Sequence, residues 1–135
     1  GCDVARSLDE ALVLAAKVEE WRFRPFAHGH ADCWQFAADV VLALTGIDYR
    51  ERFPPYESCR QALRILSRSR GMRGLAASVL GEPKPVAEAL AGDVVIGDFG
   101  LGETAGICLG VHCCAPGERG LVFRQTSECT TAWSI

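Results

Sequence analysis

Cys33 follows Asp32 at the head of an apolar stretch, Cys33-Trp34-Gln35-Phe36-Ala37-Ala38, and closes a loop-like run, Pro25-Phe26-Ala27-His28-Gly29-His30-Ala31. Asp32 in front of such a stretch is a helix N-cap, which puts Cys33 in the first turn. There, free backbone N–H groups and the positive end of the helix dipole favour thiolate over thiol. A nucleophilic cysteine needs that, together with a base within hydrogen-bond reach and donors for an oxyanion. The chain's three histidines are His28, His30 and His112. His28 and His30 are close to Cys33 in sequence, but neither has an orienting carboxylate. The bland alternative keeps Cys33 as a packed thiol and the two histidines as loop residues.

Two further groups invite chemistry. Seven cysteines are present, Cys2, Cys33, Cys59, Cys108, Cys113, Cys114 and Cys129. An odd number cannot pair completely within one chain, and in a reducing compartment they remain thiols. Cys2 and Cys59 read as small buried hydrophobes. Cys108, His112, Cys113, Cys114 and Cys129 offer soft ligands in a short stretch, but not as two C-x-x-C-like knuckles. Adjacent Cys113 and Cys114 on a strand point to opposite faces, so a shared ion is disfavoured and no metal or other cofactor is expected. Arg60, Arg64 and Arg68 recur at i, i+4, i+8, with Arg70 and Arg73 beyond. They form either a solvated helix face or a contact for an acidic partner, here read as a protein-docking face.

The elements that must position these residues read as helices first and strands second. Ser7 to Glu10 is a capping-box pattern, followed by Leu8, Leu12, Ala15, Ala16 and Trp21 at helical spacing, with Pro25 closing the segment. A second helix runs from Asp32 to Gly46. It is apolar almost all round and so belongs at the centre. A third spans about residues 57–69, with Leu63 and Leu66 inward. Gly71 and Gly74 end it, and residues 75–80 form a short helical piece closed by Gly81. After Gly92 come short runs separated by Gly-containing turns, at residues 93–96, 106–109, 112–115, 121–123 and 131–134, which read as a small antiparallel sheet. The expectation is α+β, a single domain over residues 1–135, with the central helix packed on the sheet. Trp133 reads as a core anchor of the last strand.

Composition bounds the rest. The chain has 135 residues, 49% apolar and 23% charged, with a net charge of −3. That is the balance of a folded domain, and it argues against a general nucleic-acid coat. The apolar run at residues 36–44 is broken by Asp39 and too short to span a bilayer. No basic segment followed by an apolar one opens the chain, so intracellular synthesis is expected.

In order, Pro25-Phe26-Ala27-His28-Gly29, then Asp32-Cys33 opening an apolar helix, then Gly92-Asp93-Val94-Val95 and Ala105-Gly106-Ile107-Cys108-Leu109-Gly110, resemble the NlpC-type cell-wall hydrolases. These are papain-like cysteine peptidases and amidases that cut peptidoglycan peptides. The resemblance covers about residues 25–115. More closely, the chain resembles small phage and prophage proteins encoded among tail genes. Thr45-Gly46-Ile47-Asp48, the Arg-rich middle helix and the terminal Ala132-Trp133-Ser134-Ile135 carry that likeness.

The resemblance implies a papain-like, NlpC-type core with Cys33 as nucleophile and an oxyanion region around Phe26, Asp32 and Cys33. It also implies other tail proteins of the hub or tape-measure region as partners, bacterial peptidoglycan as the polymer met, and a path from bacterial cytoplasm to virion tail. Three positions depart from the family pattern. Thr104 occupies the place of the family's base histidine, and threonine does not accept a proton near neutral pH. Phe26 replaces a tyrosine and has no hydroxyl, and Trp34-Gln35 replace Ser-Gly after the cysteine. The departures argue against efficient hydrolysis and favour a tail-tip assembly role. Two rivals stay open: an active peptidoglycan hydrolase using His112, which period two places on the face of Cys114, as an unorthodox base during genome delivery, and a metal-bearing structural plug of the tail tip.

Overall fold

The computed structural model describes residues 8–27, 32–52, 56–100 and 102–135. Cys2, Ser7, His28 and His30 lie outside them.

Helix α1 spans Leu8–Trp21 and α2 spans Cys33–Thr45. A 3-10 turn at Tyr49–Arg52 leads toward α3, Cys59–Arg68, and α4, Gly71–Leu80. The strands are β1 (Val94–Asp98), β2 (Glu103–Cys108), β3 (His112–Gly117), β4 (Gly120–Gln125) and β5 (Thr131–Trp133). They form one antiparallel sheet in the order β4-β3-β2-β1-β5. The architecture is therefore α+β, N-terminal helices on a C-terminal antiparallel sheet, as the sequence implies.

Helix α2 begins and ends where its capping residues dictate. The Asp32 carboxylate accepts from the Gln35 N–H at 2.9 Å, and Gly46, in the left-handed region at φ 80°, donates its N–H to the Leu42 carbonyl. Between these caps Phe36, Ala37, Ala38, Val40 and Val41 are all buried, because α2 lies between α1 and the sheet. Its one internal carboxylate, Asp39, is satisfied by Lys17 Nζ at 3.1 Å and Trp21 Nε1 at 2.9 Å, which clasps α1 to α2. Beyond Gly46, Asp48 accepts from the Arg50 N–H and side chain. The Thr45-Gly46-Ile47-Asp48 motif is thus a helix stop followed by a charge-stiffened turn.

The two faces of the sheet hold separate apolar clusters. Val94, Ile96, Ala105, Ile107, Cys114 and Trp133 join the helices, whereas Val95, Phe99, Cys108, Cys113, Ala115 and Ala132 pack on the other side. The segment from β4 to β5, which includes a 3-10 turn at Thr126–Glu128, covers that other side: Thr126 N–H bonds the Val111 carbonyl and Thr130 N–H the Ile96 carbonyl. Asp93, just before β1, is buried and accepts from the Leu90 N–H at 2.8 Å and Lys84 Nζ at 2.7 Å.

Four local expectations are corrected. On α1 the inward face is Leu14, Val18 and Trp21; Leu12, Ala15 and Ala16 face solvent and Leu8 is 77% exposed. Leu63 is 59% exposed, because α3 turns Ala62, Ile65 and Leu66 inward at i, i+3, i+4 and leaves position 63 about a quarter-turn away. Gly71 and Gly74 do not end a helix but lie within α4. A Cβ at Gly74 would collide with the Ser69 carbonyl oxygen, so the tight α3–α4 corner requires glycine there. Cys59 is exposed, not buried.

Trp133 is fully buried and donates Nε1–H to the Gly81 carbonyl at 3.0 Å, joining the last strand to the end of α4. Trp133→Ala is expected to lower unfolding free energy by about 3–5 kcal/mol. Trp133→Phe, which keeps a six-membered ring but loses the donor and the fused second ring, is expected to cost less, about 2 kcal/mol. Urea titration of the two variants beside the parent checks the order; equal losses would refute it.

Candidate active site

Asp32 opens α2 and places Cys33 against the start of β2, where a cavity of about 410 Å³ lies between α2, α3, α4 and the sheet. Its apolar wall includes Ile65 and Leu66 from α3 and Met72 and Leu75 from α4. Phe26, Asp32, Cys33, Tyr56, Thr104 and Glu118 also line it. Of the residues singled out from sequence, Cys33, Asp32, Phe26 and Thr104 are therefore brought together.

The thiol is not activated. Backbone N–H groups of Ala105, Trp34 and Cys33 itself favour the thiolate, as a helix start should. Burial opposes them and the Asp32 charge adds to it, so the Cys33 thiol is pushed up to about 12. Position at a helix start suggested a lowered value; burial first, and then the neighbouring carboxylate, reverse it.

Asp32 is 3% exposed and is bonded through both oxygens. Oδ1 takes the Gln35 N–H, and Oδ2 takes the Tyr56 hydroxyl at 2.6 Å. Burial, then the Asp32 charge, hold the Tyr56 proton far above the ordinary tyrosine range. Sequence reading missed Tyr56. It precedes α3 in an irregular stretch where no periodicity points inward, yet it supplies a hydroxyl to the site whose Phe26 has none. Glu118, between β3 and β4, was likewise unmarked.

Thr104, which the resemblance to NlpC-type hydrolases aligns with a base histidine, is buried and donates its hydroxyl proton to the Gly102 carbonyl at 2.9 Å. His112 is elsewhere. It is exposed at the first position of β3, opposite Gln125, whereas Pro116 near the other end of the strand lines the cavity. Four residues of strand separate the two by roughly 13 Å. His112 is thus not brought to Cys33: it shares a side of the strand with Cys114, but lies beyond the part that the helices cover. Among the described residues lining the cavity there is no histidine.

Arg60, Arg64 and Arg68 are exposed along α3, the helix whose other face lines the cavity. The late cysteines separate by face as period two requires, with Cys114 inside and Cys108 and Cys113 outside. Among the described residues no three His, Cys, Asp or Glu side chains are disposed to hold a metal ion, and no described helix is long and apolar enough to cross a membrane.

Residues 6–135 match the family model described as a domain of unknown function (DUF6950), and the chain belongs to that family. No curated protein matches it.

Two outcomes follow from the buried thiol. Asp32→Asn keeps an N-cap of equal quality but removes the charge. Alkylation of Cys33 by iodoacetamide at pH 8 should become several-fold faster than in the parent, read by peptide mapping; an unchanged rate would remove Asp32 from the account. Cys33 and Cys114 both rise from 9.0 to about 12 in the folded chain. Such thiols stabilise the fold fully below pH 9, and the contribution fades as pH climbs toward 12, because only the unfolded thiols ionise there. The urea midpoint should therefore fall above pH 9, and Cys33→Ala should flatten the fall; a level midpoint in the parent would contradict it.

Proposed function

We propose that this member of the DUF6950 family is a phage or prophage tail protein that works in tail-tip assembly. Its papain-like, NlpC-type site has weak or lost peptidoglycan hydrolysis. The single observation that carries the enzymatic half is the state of Cys33: a buried thiol pushed up to about 12 in a cavity whose described lining holds no histidine. A cysteine hydrolase needs a thiolate and a partner that accepts and returns a proton. Thr104, with its hydroxyl given to the Gly102 carbonyl, offers neither.

The tail assignment is supported by the motif order described above, and several of those motifs are structural devices in this chain. Gly46 stops α2, Asp93 ties the approach to β1, and Trp133 anchors β5. A sequence that keeps framework motifs and gives up the base fits a domain retained for its shape. The exposed Arg60, Arg64 and Arg68 fit an acidic protein surface, such as the hub or tape-measure region of a tail.

Digestion of purified peptidoglycan by the recombinant protein and by Cys33→Ala, with soluble fragments read by mass spectrometry, tests the enzymatic half. No release from either across pH 5 to 9 is expected. Release by the parent and not by the variant would establish a hydrolase. Complementation in a prophage deleted for the gene tests the other half. Cys33→Ala should restore tails seen by electron microscopy, and Arg64→Glu should restore several-fold fewer. Normal tails without the gene would overturn the assembly role.

A further inference from the structure

On the face of the sheet away from α2, the Cys113 and Cys129 sulfurs lie 3.5 Å apart. Cys113 is on β3 and buried; Cys129 follows the Thr126–Glu128 turn and is half-buried. The two residues belong to separate pieces of chain, since β5, which Cys129 precedes, is separated from β3 in the sheet by β2 and β1. The fold makes room for this approach. A Cβ at Gly97 would come within 2.8 Å of the Cys129 sulfur, so glycine at that position of β1 leaves the seat open. The Thr130 N–H bond to the Ile96 carbonyl holds the same segment down at 2.8 Å.

We propose that Cys113 and Cys129 are a dithiol pair that reacts with low-molecular-weight disulfides of the glutathione class and closes to a reversible internal disulfide. The two members are unequal in the way that exchange requires. Cys129 is half-buried where Cys113 is buried, and its hydrogen-bonding contact with Cys113 favours its thiolate. Cys113 is held protonated, first by that same hydrogen bond and then by burial. The Cys129 thiolate attacks one sulfur of the reagent, forming a mixed disulfide and releasing one small thiolate. Cys113 then gives up its proton and attacks the Cys129 sulfur, expelling the second small thiolate. Two protein thiols are oxidised, one small disulfide is reduced to two thiols, and the protons pass to the departing thiolates. Closing from 3.5 Å to a bonded pair asks for a movement of roughly 1.5 Å. The bond would tie the segment before β5 to β3 across the outer face of the sheet. This inference does not depend on the tail assignment.

The folded protein is incubated with oxidised glutathione at pH 8, quenched in acid and mapped by mass spectrometry. The expected product has Cys113 and Cys129 joined with no glutathione retained on either, is reversed by dithiothreitol, and has a Tm several degrees higher. Cys59, exposed on α3, is the internal reference and should keep its adduct. In Cys113→Ser, glutathione should accumulate on Cys129; in Cys129→Ser, Cys113 should take up little reagent. A parent protein in which Cys129 retains glutathione, or whose disulfide joins other cysteines, overturns the proposal. The parent measurement stands even where a variant fails to fold.

Discussion

The carboxylate of Asp32 is nearly shut off from water, and a buried charge is tolerated only where donors surround it. Two of its donors come from different parts of the chain. The Gln35 N–H fixes the first turn of α2, and the Tyr56 hydroxyl draws in the segment that precedes α3. One group therefore sets where Cys33 begins its helix and where the cavity wall from α3 starts. The same charge disfavours a thiolate one residue away. Capping and activation conflict here: burial is the larger obstacle to ionisation, and the residue that places the cysteine at a favourable helix end adds to it.

The rest of the architecture follows from how the sheet divides the apolar residues. Helix α2 covers one face, and the chain between β4 and β5 covers the other, so both sides of β1, β2 and β3 are buried. This explains the high cysteine content of the second half without a metal. Cysteine is small and fits the tight spaces on both faces, with Cys114 under the helices and Cys108 and Cys113 under the covering segment. Cys108 shows the accommodation in detail, with its sulfur accepting from the Gly110 N–H at 3.3 Å and lying 3.4 Å from the Gly110 carbonyl.

The sequence was most legible where a local rule has a local cause. Asp32, the apolar residues after it and Gly46 bound α2 because capping and left-handed termination are settled within a turn. The first four strands stood out because glycines mark the turns between them, whereas the connection from β4 to β5, residues 126–130, has none. What stayed hidden depends on partners distant in the chain. The face that α1 buries is chosen by α2, which offers Asp39 to Trp21 and Lys17, so Leu8 and Leu12 lose a competition that their own spacing does not record. Gly74 resembles a helix breaker until the Ser69 carbonyl occupies the space of its missing side chain. At the site, Cys33, Asp32, Phe26 and Thr104 were legible through motif order. Tyr56 was not, since a tyrosine in an irregular stretch gains its role only from the carboxylate it meets. His112 was misplaced because period two gives the side of a strand, not the distance along it.

Charge balance explains why the change at Thr104 reaches further than the loss of one proton acceptor. A working cysteine site stabilises its thiolate with a cation, and the base histidine of the NlpC-type hydrolases that the chain resembles supplies that charge as well as accepting the proton. Among the described residues lining the cavity, the ionisable groups are Asp32, Cys33, Tyr56 and Glu118, none of them a base that becomes cationic. An anion formed at Cys33 would meet the Asp32 charge with no counter-charge from that set. On the proposed NlpC-type reading, Thr104 is neither a proton acceptor nor an electrostatic partner for the thiol. The hydroxyl of Tyr56 does not replace either, because its proton is held by Asp32. Among the described residues the site is a largely apolar cavity around a buried thiol, with the helices and sheet held by contacts that do not require a reaction.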